Sequence, residues 1–213
     1  SAVEGEVYAY SSLFTALVFW LILKWEEAAD RPHADRWIVL IAYLMGLSIG
    51  VHLLNLLCIP AIVLVYYYKK FPNPTMKGTL IALLVSFAIV GLMMYGVVQG
   101  LVEVCGYFEL LFVNTFGMPY NSGVYAFVII LAASLIWAIW ETMQDEIHPV
   151  RMKISFILSI VLLGIPFIGS GYVIAVILTA ALTAYLFMSK KVNIKMLNTI
   201  LVCLMVIVVG YSS

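Results

Sequence analysis

The feature that most limits the fold is a run of 32 residues, 37–68, without a single charged side chain. Arg36 precedes this run, and Lys69 and Lys70 follow it. One helical crossing of a bilayer takes roughly 20 apolar residues, so the run is too long for one crossing and slightly short for two. Lys and Arg beside membrane helices stay on the cytoplasmic side, which requires an even number of crossings here. The run therefore predicts a hairpin of two short helices.

The reversal of this hairpin is predicted between Gly46 and His52, because Gly46 and Gly50 permit a tight turn there. The tip of the hairpin then points away from the cytoplasm. It carries His52 and, three residues later, Asn55.

A second uncharged run of 36 residues, 154–189, lies between Lys153 and Lys190. Glycines and a proline interrupt it between residues 164 and 171, so the same argument predicts a second hairpin. With both hairpins in place, all 11 Lys and Arg residues fall on one face of the membrane. The opposite face then holds four carboxylates, those of Glu4, Glu6, Glu103 and Glu109.

Composition agrees with this pattern, since 65% of the residues are hydrophobic and 10% are charged. A soluble domain carries about a quarter charged residues. We predict an all-α, polytopic helical bundle with about eight transmembrane helices, both ends of the chain on the outer side, and residues 1–213 as part of one transmembrane domain. The net charge of zero leaves no basic surface for nucleic acid.

Residues 99–122 form the one sizeable segment without basic charge and without a clean spanning run. Aromatic and polar residues alternate irregularly along it, which is typical of a helix that lies in the plane of the interface. We therefore predict that the preceding helix ends near Val98.

His52 and Asn55 would share one helix face at this spacing. Two interpretations stay open at this point. Their side chains either form a hydrogen bond that fixes the hairpin, or they face a ligand. Ionisable residues within membrane segments indicate function by default, which supports the second interpretation.

Glu4 and Glu6 precede the first apolar helix, where the helix dipole favours carboxylates without any function. On the other hand, no basic residue lies on the same predicted face to neutralise them. Glu109 and Asn121 are further polar candidates on that face. The spacing of cysteine and histidine predicts no metal site, and there is no phosphate-binding glycine loop, GxSxG or HExxH motif.

Three runs resemble a known family: SAVEGEVYAYSSLF at the start, GLSIGVHLLNLLCIPA at residues 46–61, and YFELLFVNTFGMPYNSG at residues 107–123. They are similar to bacterial membrane proteins, common in Bacteroidetes, that contain domain of unknown function 2723. Animal relatives of that family are protein O-mannosyltransferases of the endoplasmic reticulum, and the family is placed in the GT-C superfamily of glycosyltransferases. Within these runs, EVY and GVHLLNLL are the more specific parts.

The resemblance implies a GT-C-like enzyme on the periplasmic side of a bacterial inner membrane. It implies transfer of a sugar, with mannose as a candidate, from a polyprenyl-phosphate carrier to a protein Ser or Thr hydroxyl. We expect membrane lipid, this donor and a protein acceptor as partners. The expected catalytic residues are Glu6, Glu4 and His52, and the expected substrate-binding residues are Asn55, Glu109 and Asn121.

Such chemistry needs a carboxylate to take the proton of the acceptor and positive charge or donors on the departing phosphate. The predicted outer face has no Lys or Arg, so the phosphate clamp is expected from other parts of the protein or from a divalent metal held there. The family's first outer loop, which supplies an acidic motif, is expected upstream of Ser1. The chain alone is therefore not expected to be active.

Two other functional classes fit the same sequence. A carrier or flippase for lipid-linked sugars would move its substrate without forming a bond, and would need charged residues along a path. In a structural membrane subunit of an envelope complex, replacement of the outer carboxylates would impair assembly of the complex at most.

Overall fold

The computed structural model describes residues 2–168, 172–189 and 192–212, apart from the side chains of Ala2, Val3, Glu4 and Leu54. The described residues form helices joined by short loops, and no strand occurs among them. The all-α fold class is therefore confirmed. A 3₁₀ helix (Leu53–Leu57) and two π-helical segments (Leu92–Gly100 and Leu111–Thr115) accompany the α-helices. These are α1 (Ala2–Ala28), α2 (Asp35–Val51), α3 (Cys58–Lys70), α4 (Met76–Gly91), α5 (Leu101–Leu110), α6 (Ser122–Glu141), α7 (Pro149–Leu162), α8 (Tyr172–Met188) and α9 (Ile194–Tyr211).

Within the described ranges, four helical segments are long and apolar enough to cross a membrane: Gly5–Ala28, Met76–Thr115, Ser122–Glu141 and Ile194–Tyr211. The helix α8 is apolar but shorter. With 17 and 13 residues, α2 and α3 also fall below the roughly 20 residues of a full crossing. The chain is thus an integral membrane protein by length and composition, and the number of eight crossings stays a prediction.

Residue contacts divide the chain into two compact units, Ser1–Val90 with Val202–Ser213, and Gly91–Leu201. The organisation of the whole chain as one transmembrane domain stays a prediction. In the first unit α1 packs against both α2 and α3. Trp25 of α1 stacks on Tyr66 of α3, with ring centroids 5.1 Å apart.

The first predicted hairpin is present in this unit. Near the start of α1, the Ser11 hydroxyl donates to Asn55 over 2.7 Å. Beyond the end of α1, the Lys70 ammonium donates to the Ala29 carbonyl over 2.9 Å. The helix α3 therefore runs parallel to α1. The helix α2 begins at Asp35, shortly after α1 ends, and is followed by His52, which lies against Tyr8 near the start of α1. It therefore runs antiparallel to α1, and the chain reverses between α2 and α3.

The role predicted for Gly46 is wrong, because α2 continues through it and ends at Val51. The backbone of Ile207 lies directly against Gly46, and a Cβ atom there would overlap the Ile207 carbonyl oxygen. The same kind of contact places Gly210 against the Tyr43 backbone. These glycines let two helix backbones approach closely, as small residues do in membrane bundles. The reversal itself begins at His52.

The predicted helix end near Val98 is also wrong, since helical residues continue without a break from Met76 to Thr115. Proline is absent from this segment, so every residue keeps its backbone donor. Within it, Gly100 lies against the Gly164 carbonyl of the turn after α7. Polar and aromatic side chains alone did not end the helix.

In the second unit α5, α6, α7 and α8 pack in chain order. Phe108 of α5 meets Phe127 of α6, with ring centroids 5.4 Å apart. The second predicted hairpin is present too, since α7 ends at Leu162, Gly164 adopts a φ of 77°, and α8 begins at Tyr172. Lys153 near the start of α7 lies over the Phe187 ring near the end of α8, so the two helices are antiparallel. Residues 169–171, 190 and 191, which belong to this prediction, lie outside the described residues.

Candidate functional site

His52 marks the point where α2 ends. Its backbone is extended, with φ −156° and ψ 116°, and its N–H donates to the Ser48 carbonyl over 2.8 Å. The carbonyl of His52 accepts the N–H of Asn55 over 3.1 Å. The imidazole ring lies against Tyr8 of α1, with centroids 5.8 Å apart. His52 and Asn55 therefore do not share an α-helix face as predicted, because an extended residue interrupts the helical spacing.

Asn55 is buried, with 4% of its surface exposed. Its Oδ1 accepts hydrogen bonds from the Ser11 hydroxyl over 2.7 Å and from the Thr15 hydroxyl over 3.3 Å. Its Nδ2 has no hydrogen-bond partner. A buried donor without a partner costs about 1–3 kcal/mol, so it is uncommon unless it serves a ligand or water.

These contacts answer the question that the spacing left open. Asn55 does fix the hairpin, but it does so through α1 rather than through the His52 side chain. Its amide nitrogen additionally offers an unused donor. We refer to the residues that meet here as the Asn55 cluster: Tyr8, Ser11, Thr15, His52 and Asn55.

The α1 residues of this cluster lie on one stripe of the helix, because they recur at intervals of three and four residues. Sequence reasoning missed Tyr8, Ser11 and Thr15, although that spacing was a usable signal. Glu6 lies on the other side of α1, since two residues correspond to about 200° of rotation from position 8. Its side chain is exposed. Glu4 lies one turn before Tyr8 in the sequence, and its side chain lies outside the described residues.

Glu109 and Asn121 meet in the second unit, at the start of α6. One carboxylate oxygen of Glu109 accepts the N–H of Asn121 over 2.6 Å. The other accepts the N–H groups of Gly123 and Val124 over 2.9 and 3.2 Å. Asn121 itself adopts the left-handed conformation, with a φ of 70°. Glu109 thus supplies the N-terminal cap of α6 from a distant helix, and substrate binding by either residue stays a prediction.

Removing this cap should loosen the start of α6. We expect Glu109→Ala to lower the free energy of unfolding by about 1–2 kcal/mol, the usual range for a lost N-terminal cap. Amide hydrogen exchange at Gly123 and Val124 should accelerate at the same time. Glu146→Ala, which removes an exposed carboxylate, is the matched control and should leave both measurements unchanged. Unaltered exchange at Gly123 in the Glu109 variant would contradict the capping role.

Another carboxylate, that of Glu141, was not singled out from the sequence. Glu141 closes α6 with only 1% of its surface exposed. It pairs with Arg151 of α7 over 2.6 Å and accepts the Trp137 indole N–H over 2.8 Å. The i, i+4 spacing of Trp137 and Glu141 was the available signal.

Among the residues that the structure describes, no group of three His, Cys, Asp or Glu side chains could hold a metal ion. In the Asn55 cluster the Ser11 and Thr15 hydroxyls already donate to Asn55, so its Nδ2 is the donor left for a ligand. An amide N–H of this kind is suited to an oxygen acceptor.

Comparison with known proteins gives one match. Residues 1–75 match the family model described as Protein O-mannosyl-transferase TMEM260 N-terminal domain. No curated protein and no solved structure matches the chain. The matched part contains the whole Asn55 cluster and agrees with the resemblance to animal O-mannosyltransferases. The match suggests that this membrane protein is a glycosyltransferase.

Proposed function

We propose that the protein is a membrane-embedded glycosyltransferase that moves a sugar from a polyprenyl-phosphate carrier to a Ser or Thr hydroxyl of a protein. Mannose is the first candidate sugar. The observation that carries the proposal is the family match over residues 1–75, which contain all the residues of the Asn55 cluster. Assignment to the GT-C superfamily and to the bacterial family with domain of unknown function 2723 belongs to the same proposal.

The proposal places the Asn55 cluster on the periplasmic side of a bacterial inner membrane. Charge placement within each unit supports this orientation. In the first unit, the Lys69–Asp30 pair lies at the opposite end of α1 from His52. In the second unit, Glu109 lies at the start of α6, and Arg151 pairs with Glu141 at the end of α6. A helix of 20 residues is about 30 Å long, so Glu109 and Arg151 lie at opposite ends of it. Basic groups beside membrane helices stay in the cytoplasm.

The reaction is a displacement at the sugar's anomeric carbon. The acceptor hydroxyl loses its proton to a carboxylate as its oxygen bonds to that carbon, and the bond from the carbon to the carrier phosphate breaks. The phosphate leaves with the electron pair and a developing negative charge, which hydrogen-bond donors stabilise.

Within this chain we assign these tasks as follows. Glu4, one turn before Tyr8, is the candidate for the carboxylate that takes the proton. The Asn55 Nδ2, which has no hydrogen-bond partner, donates to a donor-substrate oxygen, and His52 lies against Tyr8 in the same cluster. Parts of the protein outside this chain, or a divalent metal that they hold, supply the positive charge for the phosphate.

Sugar transfer by membranes that contain the intact protein tests the proposal. The donor is a radiolabelled polyprenyl-phosphate sugar, and the label on a periplasmic acceptor protein is measured. We expect transfer by the wild type and a loss of about 100-fold in Asn55→Ala and His52→Ala, the size seen when one transition-state donor is removed. His148→Ala changes an exposed histidine elsewhere and should keep full activity.

Two results would overturn parts of this proposal. Full transfer by both cluster variants would reduce the Asn55 cluster to a scaffold. Lipid-linked sugar that crosses the bilayer without label on any acceptor would replace the transferase by a flippase. Equal amounts of each variant in the membrane are confirmed by immunoblot, so a loss of transfer is not a loss of protein.

A further inference from the structure

An open groove follows the contact between α7 and α8 in the second unit. It consists of two adjoining parts of about 650 and 420 Å³ that share Val161 and Thr183. Tyr172 lines one end and Phe187 the other, fifteen residues apart on α8, which is about 22 Å along a helix. One leaflet of the hydrocarbon core is about 15 Å thick, so the groove can hold the full depth of an acyl chain.

The lining of the groove is apolar although it includes two threonines. The Thr183 hydroxyl donates to the Thr179 carbonyl of its own helix over 2.7 Å, so no donor is left for a ligand there. Ala175, Ala180 and other small residues leave the space open. The lining is predominantly aliphatic and aromatic, so a hydrocarbon chain would fit along it.

The Phe187 end of the groove carries a positive charge. The Lys153 ammonium lies 5.2 Å from the centre of the Phe187 ring. Its neighbour Arg151 is neutralised by Glu141 over 2.6 Å. Lys153 has no carboxylate partner among the described residues, and Lys190 and Lys191 follow α8 in the sequence. The groove therefore combines an apolar length with a cation at one end.

We propose that this groove binds one anionic phospholipid, with an acyl chain along α7 and α8 and its phosphate at Lys153. Charge complementarity favours this occupant over a neutral lipid or a second helix, because the cation lies at one end only. The proposal does not depend on sugar transfer, and it places the phosphate at the start of α7.

Native mass spectrometry of the detergent-solubilised protein tests it. Phosphatidylglycerol is titrated in, and the population with one retained lipid gives the dissociation constant. We expect Lys153→Gln to raise this constant about five-fold, which corresponds to about 1 kcal/mol for a basic residue near an anionic headgroup. Lys77→Gln removes an exposed basic residue of the first unit and should have no effect.

A second pair of variants tests the apolar part. Ala180 lines the groove, whereas Ala181 is exposed and does not line it. Ala180→Phe should abolish the single retained lipid, and Ala181→Phe should keep it. Equal retention in these two variants, equal affinity for phosphatidylcholine, or displacement of the lipid by inorganic phosphate alone would overturn the proposal. Unchanged circular dichroism of the variants shows that they are folded.

Discussion

Glu4→Gln should lower sugar transfer by about 100-fold or more, within the range for loss of a general base, whereas Glu6→Gln should lower it less than about three-fold. The reason is the helical register of α1. Two residues correspond to about 200° of rotation, so the two positions lie on opposite sides of the helix. The Asn55 cluster uses the stripe that contains Tyr8, Ser11 and Thr15.

The measurement is the initial rate of label transfer at saturating donor, together with its pH profile. Glutamine keeps the size and most hydrogen bonds of glutamate, so a general-base role predicts loss of kcat with little change in KM. A sharp loss in Glu6→Gln with normal transfer in Glu4→Gln would contradict this assignment. It would move the reacting centre to the side of α1 that faces away from His52.

Arg151→Met should lower the thermal unfolding temperature more than any other single loss of charge in the second unit. Removal of one partner leaves the Glu141 carboxylate, with 1% of its surface exposed, next to the Trp137 indole alone. Breaking a buried ion pair costs about 3–5 kcal/mol, and we expect about 2–4 kcal/mol here because 53% of the Arg151 side chain is exposed.

A double variant distinguishes lost attraction from an unpaired buried charge. Arg151→Met combined with Glu141→Leu removes both charges and should recover most of the lost stability. Unfolding in detergent, followed by circular dichroism, measures the effect in each variant. Lys77→Met removes an exposed charge and should stay within about 0.5 kcal/mol of the wild type. A double variant as unstable as Arg151→Met would show that the cost arises from lost packing instead.

Much of the fold could be predicted because the bilayer leaves few alternatives. A backbone in hydrocarbon must satisfy its own hydrogen bonds, so a chain of this composition forms helices. Both reversals were predicted from the basic residues at the ends of the uncharged runs, by the rule that basic residues beside membrane helices share the cytoplasmic side. The ends of the helices were harder to predict from the sequence. Gly46 was expected to lie in the reversal, but it lies within α2 beside the backbone of Ile207.

The candidate site, too, could be predicted only in part from the sequence. The sequence by itself identified His52 and Asn55, because ionisable and amide side chains are conspicuous in an apolar run. It did not show that His52 is extended, or that Asn55 binds α1 and keeps an unused donor. Those features depend on contacts between residues about 40 positions apart, for which sequence spacing carries no information.

The sequence alone thus determined the fold class and the two hairpins, because these follow from transfer of side chains between water and lipid. The tertiary structure decided how individual polar groups are used. It assigned Glu109 to the cap of α6 and paired Glu141 with Arg151. Hydrogen bonds and close backbone contacts are short-ranged and directional, so they are settled only when the helices have packed.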